Sequence, residues 1–310
     1  MPATGGAGEH KWNSSPLALV DRRAGPEVSG MPSLLSPVWL ASHLHESDVV
    51  VLDCSWYLPS QHRDAEMEYQ AAHIPGALRF DLDAASDPSS DLPHMLPSPE
   101  HFAGSMEQLG IRPQDRVICY DGSGTNLSAA RVWWMFRVFG HPWVAVLDGG
   151  FPAWSSATRP VQRGSTRRPP TGYPVPTVDR SLVRNHREVE QIVAGTGTAQ
   201  VADCRPAPRF NGEVDEPRPG LRRGHIPGSS NVPYAELTDP ETGLLRSPAA
   251  LRALLGDRGL DVERPIVALC GSGTSAGALA LAVEVIRESG GRAVGPPVAI
   301  YDGSWAEWGR

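Results

Sequence analysis

Cys270 is the residue of this 310-residue chain whose neighbours could make it react. It ends the apolar run Pro-Ile-Val-Ala-Leu-Cys and is followed by Gly271, Ser272, Gly273, Thr274 and Ser275, then by an alanine-rich stretch from Ala276. Two glycines and small hydroxyl residues let a backbone curl until successive N–H groups point at one spot. The start of a helix adds partial positive charge there. An anion gathered at that spot would be a thiolate or a persulfide on Cys270. The thiolate is the nucleophilic form of cysteine, so a loop of this kind turns a thiol into a reagent. A phosphatase built on Cys-x5-Arg has a loop of similar shape but needs an arginine six residues on, where this chain has Ala276.

The other three cysteines serve as a contrast. Cys54, Cys119 and Cys204 lie in or at the ends of apolar runs, with no glycine-rich turn into a helix after them. Core packing is the reading for all three. Their spacings match no zinc pattern, so no metal site is expected.

The elements that must position Cys270 emerge from an internal repeat. Val51-Leu52-Asp53-Cys54 returns as Val201-Ala202-Asp203-Cys204, and His73-Ile74-Pro75-Gly76 as His225-Ile226-Pro227-Gly228. Tyr120-Asp121-Gly122-Ser123-Gly124-Thr125 is echoed by Leu269-Cys270-Gly271-Ser272-Gly273-Thr274, and Leu147-Asp148-Gly149 by Tyr301-Asp302-Gly303. Four blocks in one order, spaced by 149 to 154 residues, mean two tandem copies of one domain. The expected division is a disordered tail over 1–30, domains over 31–156 and 181–310, and a Pro- and Arg-rich linker over 157–180.

Short apolar runs mark strands at 49–54, 116–120, 144–147, 200–204, 265–270 and 298–301, with helices over 99–109, 127–139, 248–255 and 275–288. Strands alternating with helices predict an α/β fold with a parallel sheet flanked by helices in each copy. Reactive groups in such sheets sit beyond the carboxyl ends of strands, at loops 121–126 and 270–275. The first copy has Asp121 where the second has Cys270, and a carboxylate cannot carry sulfur. The first copy is therefore expected to be non-catalytic, a wall of a cleft without counterparts of the second copy's binding arginines. His73 and His225 recur in both copies and read as structural. Trp133, Trp134, Phe136 and Phe139 fall at helical spacing and read as core.

Composition narrows the classes further. A formal charge of −7 argues against nucleic acid as a partner. No run approaches ~18 consecutive apolar residues, so no membrane span is expected. Four cysteines are too few for a disulfide framework, and the first thirty residues lack an apolar secretory stretch, so a cytoplasmic location is the default.

From about Met31 to Arg310 the chain resembles the tandem-rhodanese sulfurtransferases. The resemblance is carried by Leu52–Pro59, His73–Ala77, His94-Met95-Leu96-Pro97, Arg131–His141, Glu216-Pro217-Arg218, Gly224–Gly228, Cys270–Gly273 and Tyr301–Trp305. It implies an inactive first rhodanese-like domain, a catalytic second one and a Cys270 persulfide. The uncharged Cys270-Gly271-Ser272-Gly273 is similar to the branch that uses 3-mercaptopyruvate, whereas thiosulfate users tend to carry Cys-Arg-x-Gly. The resemblance places a catalytic serine on Ser272, an orienting pair on Asp83 and His94, and substrate-carboxylate arginines on Arg209 and Arg218. Gly271, Gly273, Thr274 and Ser275 would line the bound donor. Outside the resemblance, Arg209 and Arg218 belong to an Arg-rich stretch with Arg205, Arg222 and Arg223, where solvent exposure is the default. Two positions depart from the family run: Thr274-Ser275 stands where Val-Thr is usual, and Pro93 precedes His94 where Asp is usual. The implied reaction passes sulfur from a small-molecule donor to a thiol acceptor such as thioredoxin, or to cyanide, and needs no dissociable cofactor. The alternatives are thiosulfate as donor and a non-enzymatic sulfur-carrier or regulatory module.

Overall fold

The computed structural model describes Met1, residues 31–290 and residues 295–310. The tail expected over 1–30 lies, but for Met1, outside the described residues.

The first half runs β1 (Leu34–Leu35), α1 (Pro37–His43), β2 (Val49–Asp53), α2 (Ala65–Ala71), β3 (Leu78–Arg79), α3 (Pro99–Leu109), β4 (Arg116–Tyr120), α4 (Leu127–Val138), β5 (Val144–Leu147) and α5 (Gly150–Ser156). The second half repeats it with β6 (Val183–Arg184), α6 (His186–Val193), β7 (Gln200–Asp203), α7 (Ala207–Phe210), β8 (Ser230–Asn231), α8 (Pro248–Asp257), β9 (Ile266–Leu269), α9 (Ala276–Ser289), β10 (Ala299–Tyr301) and α10 (Ser304–Trp308). The sheets run β1-β5-β4-β2-β3 and β6-β10-β9-β7-β8, every pairing parallel. The two orders are the same path drawn twice.

The central strands are apolar at consecutive positions because both faces are covered. Every residue of Val-Val-Val-Leu-Asp in β2 and of Ile-Val-Ala-Leu in β9 is buried. Helices begin where the sequence supplies caps. Ser98 and Ser247 accept hydrogen bonds from His101 and Ala250, each with proline next in line as the first residue of α3 and α8. Six elements expected as strands and four as helices are present, with ends shifted by a residue or two. Cys54, Cys204 and Cys270 fall just past their strands rather than inside them. The short elements β1, β3, β6 and β8 went unseen because two residues carry no alternation to read.

One buried cluster spans the two halves, and each half keeps a smaller one of its own on the other face of its sheet. Trp133, Trp134 and Phe136 of α4 belong to the same buried cluster as Leu279, Val283 and Ile286 of α9. Gly277 permits that approach, since a Cβ there would stand 2.7 Å from the Arg131 amide nitrogen. The segment 157–180 is extended but not free. Gln162 pairs with His73, Thr171 donates to the Ile111 carbonyl at 2.6 Å, and buried Tyr173 meets the His141 ring at 3.0 Å. Among the described residues, no helix is long and apolar enough to cross a membrane.

Candidate active site

Cys270 follows β9, the middle strand of its sheet, and is almost fully buried. Its N–H donates to Ser304 Oγ at 3.2 Å, and its carbonyl accepts from Trp305 at 3.0 Å. The Gly271 carbonyl accepts from Ala306 at 2.9 Å, so α10 pins the strand end from one side. Among the described residues, the N–H groups of 271–276 make no protein hydrogen bond. They are left for whatever anion occupies the loop.

The first domain shows what such a loop does. Asp121, at the place of Cys270, turns its carboxylate onto its own loop and accepts from the N–H groups of Ser123 and Ala129, both at 2.9 Å. The first domain thus fills its anion seat with a fixed carboxylate. Burial pushes the thiols of Cys54 and Cys204 well up, which keeps them protonated and inert.

Arg209 and Arg218 reach the Cys270 loop. A Cβ on Gly271 would lie 2.9 Å from Arg209 Nη2 and 3.8 Å from Arg218 Nη1, so glycine is what lets both guanidinium groups close over the backbone. Arg209, on α7, pairs with Glu216 through Nε at 3.2 Å and through Nη2. Glu216 in turn accepts from Arg205 at 2.7 Å, and Arg205 forks onto Asp203 at 2.6 Å and stacks on Trp305 at 4.1 Å. Arg205, expected to be solvated, is fully buried because two carboxylates and an indole surround it. Among the described residues Arg218 has no ion-pair partner. Burial first, and then the like charge of Arg209, hold it below the usual guanidinium value, against the pull of an ionised Cys270. A bound anion relieves both.

The first domain supplies the rest. His94 Nδ1 lies 2.9 Å from Ser272 Oγ and 3.0 Å from Thr274 Oγ1, while its Nε2 lies 3.0 Å from Asp83 Oδ1. Trp56 donates to the other Asp83 oxygen at 3.0 Å and meets the His94 ring edge-on at 4.5 Å. Burial holds His94 below the usual imidazole value, opposed by the Asp83 carboxylate, so the ring is neutral at pH 7. The hydrogen bond from His94 keeps Asp83 below the usual carboxylate value. His94 takes a left-handed backbone (φ 60°) and is braced there by Arg131 of α4, whose guanidinium holds the His94 carbonyl and Asp302 Oδ1, the latter at 2.7 Å.

Cys270, Ser272, His94, Asp83, Arg209 and Arg218 therefore converge, although they come from both halves of the chain. Gly271 lies under the arginines, Thr274 faces His94, and Ser275 opens α9. Gly273 (φ +77°) turns toward Arg131 and Asp302 on the loop's far side. One expectation fails: the first copy does have a counterpart of Arg209. Arg63 pairs with Glu68 at 2.6 Å and reaches the Gly122 carbonyl at 3.2 Å, as Arg209 pairs with Glu216 over Gly271. Sequence reasoning passed over Arg205, Glu216, Arg131 and Asp302 as functional. The available signal was an arginine amid the apolar residues of α4. His73 and His225 bond to the Tyr69 and Phe210 carbonyls at 2.8 and 2.9 Å, a structural role in both copies.

The pattern of the rhodanese-like domain matches residues 36–157 and again residues 185–310. The chain is 41% identical over 281 residues to the 3-mercaptopyruvate sulfurtransferase of Rattus norvegicus, covering 89% of this chain and 91% of the rat protein. It is 39% identical over 320 residues to thiosulfate/3-mercaptopyruvate sulfurtransferase 1, mitochondrial, of Arabidopsis thaliana, covering 93% of this chain and 80% of the plant protein. The crystal structure of SseA from Escherichia coli, described for the fold and mechanism of 3-mercaptopyruvate sulfotransferases, superposes with a TM-score of 0.77 at 38% identity, over 89% of this chain and all of that one. Two domains with one topology, one cysteine loop and these relatives agree: the chain belongs to the rhodanese family, among its two-domain sulfurtransferases.

Proposed function

We propose that this sulfurtransferase takes sulfur from 3-mercaptopyruvate onto Cys270 and hands it to a thiol. The observation that carries the reading is the contact between His94 and Ser272 at 2.9 Å beside a loop that has no charged side chain. Mercaptopyruvate leaves as an enolate that needs a proton, and a hydroxyl backed by a neutral imidazole can relay one. Thiosulfate leaves as sulfite, which needs positive charge and no proton.

The Cys270 thiolate attacks the donor sulfur, forming an S–S bond, and the C–S pair departs to carbon as pyruvate enolate. Arg209 and Arg218 hold the donor carboxylate and carbonyl, a task suited to planar forks that bind two oxygens at once. The thiol proton of the donor ends on the pyruvate methyl carbon, relayed through Ser272 with His94 and Asp83 behind it. Cys270 is left as a persulfide anion facing the loop N–H groups. A thiolate acceptor, such as that of thioredoxin, then attacks the outer sulfur and returns Cys270 as thiolate, and cyanide would leave as thiocyanate. A thiol acceptor fits a reducing compartment such as the cytoplasm.

Incubation with 3-mercaptopyruvate is expected to add one sulfur atom to a peptide containing Cys270 and to no other, read by mass spectrometry. Full turnover by Cys270→Ser would refute the assignment. Thiosulfate remains the second reading, because two guanidinium groups beside Cys270 suit a sulfonate as well as a carboxylate.

A further inference from the structure

His94 has one acceptor nitrogen and two suitors. Its Nε2 is turned to Asp83 at 3.0 Å, so in the neutral ring the hydrogen sits on Nε2 and Nδ1 accepts. Ser272 Oγ stands 2.9 Å from that nitrogen and Thr274 Oγ1 stands 3.0 Å from it, with 3.4 Å between the two oxygens. A ring nitrogen offers one in-plane lone pair, so one hydroxyl donates well at a time. Both residues are buried, Ser272 at 5% and Thr274 at 4% exposure, where an acceptor left without a donor is costly.

The pairing follows from the loop. Gly273 lies between the two at φ +77°, and that turn brings the side chains at i and i+2 to one side. The first domain repeats it. Ser123 Oγ and Thr125 Oγ1 lie 3.0 Å apart around Gly124 at φ +74°, but there the histidine position holds Gly243, and the hydroxyls have no imidazole to serve.

We propose that Thr274 is a positioning residue for the proton relay. It donates to His94 Nδ1 while Ser272 turns its hydrogen toward the donor, and the two exchange places when Ser272 is re-protonated. Valine is usual at this position in the family, so the second donor is this chain's own addition to the relay: with Thr274 in place, a turn of Ser272 toward the substrate leaves Nδ1 paired. Hydrogen bonds change partners and no bond or net proton is added to the reaction. The inference rests on the mercaptopyruvate reading above.

The experiment is steady-state kinetics of Thr274→Val and Thr274→Ser with both donors, alone and in a Ser272→Ala background. Thr274→Val keeps the branched shape and is expected to lower the ratio of kcat for mercaptopyruvate to kcat for thiosulfate about 10-fold, the worth of one hydrogen bond, with KM little changed. Thr274→Ser restores the hydroxyl and is expected to hold the ratio near that of the parent enzyme. In the Ser272→Ala background Thr274→Val should cost nothing more, since there is no Ser272 to free. A parallel fall with both donors, an equal loss in the serine variant, or independent multiplication of the two losses overturns the inference. Thr274→Ala makes the same comparison if valine perturbs the loop. Failure of the parent enzyme to turn over mercaptopyruvate would instead overturn the proposed function, so the two failures are distinguishable.

Discussion

His94 and Gly243 occupy one position in two copies of a domain. Each takes a left-handed backbone, with φ of 60° and 68°, and each precedes by two residues a leucine whose N–H crosses to an aspartate of the other domain. Leu96 donates to Asp302 at 2.7 Å and Leu245 to Asp148 at 2.8 Å. Each domain thus lays a loop over its partner's strand ends, but only the first brings an imidazole. Gly243 approaches the first domain's loop closely, since a Cβ there would stand 3.4 Å from the Gly124 carbonyl. Two differences break the symmetry of this frame: Cys270 against Asp121, and His94 against Gly243.

Asp121→Cys alone is therefore expected to create no second sulfur-accepting site of comparable rate. Arg63 already stands in for Arg209, but Gly243 brings no imidazole to the loop. Pre-steady-state product bursts should remain at one equivalent per chain. A second equivalent released at a similar rate would contradict the asymmetry argument.

Arg131→Met removes one partner of a fully buried pair and leaves Asp302 uncompensated, which costs ~3–5 kcal/mol. It also releases the His94 carbonyl, so kcat with mercaptopyruvate should fall more than kcat with thiosulfate. Denaturant unfolding and two-donor kinetics read the two effects separately. Unchanged stability would mean that the pair contributes nothing.

The pH profile carries a sign. Burial lowers His94, so the ring stays neutral as pH falls through ~6.5, the ordinary histidine value, and the acid limb of kcat with mercaptopyruvate begins below it. Asp83 opposes that burial by favouring the charged ring. Asp83→Asn should therefore move the limb to still lower pH while lowering the plateau. A limb that moves upward contradicts the arrangement.

Much of this was legible in the sequence. The repeat gave the architecture, because consecutive apolar residues and glycine-rich loops recur at a constant offset. Cys270 stood out because chemistry and loop type coincide there. What could not be read was the convergence across domains. His94 sits in a Pro-rich loop 176 residues before Cys270, and only the α4–α9 packing brings it to Ser272. Arg205 looked like one solvated arginine among several, since burial by Asp203, Glu216 and Trp305 is a tertiary fact.

Ser272→Ala should lower kcat with mercaptopyruvate ~10²-fold, in the range of a lost proton-transfer step, and leave the thiosulfate reaction far less affected. Arg218→Ala should act mainly through KM, because its contact with the donor exists in the ground state as well as the transition state. Equal effects of Ser272→Ala on both donors would remove the proton relay from the account.

The most direct test compares kcat/KM for 3-mercaptopyruvate and thiosulfate in one preparation of the full chain with one thiol acceptor. The account predicts a preference for 3-mercaptopyruvate of at least ~10-fold, about 1.4 kcal/mol of transition-state discrimination. Thiosulfate emerging as the better donor would contradict it.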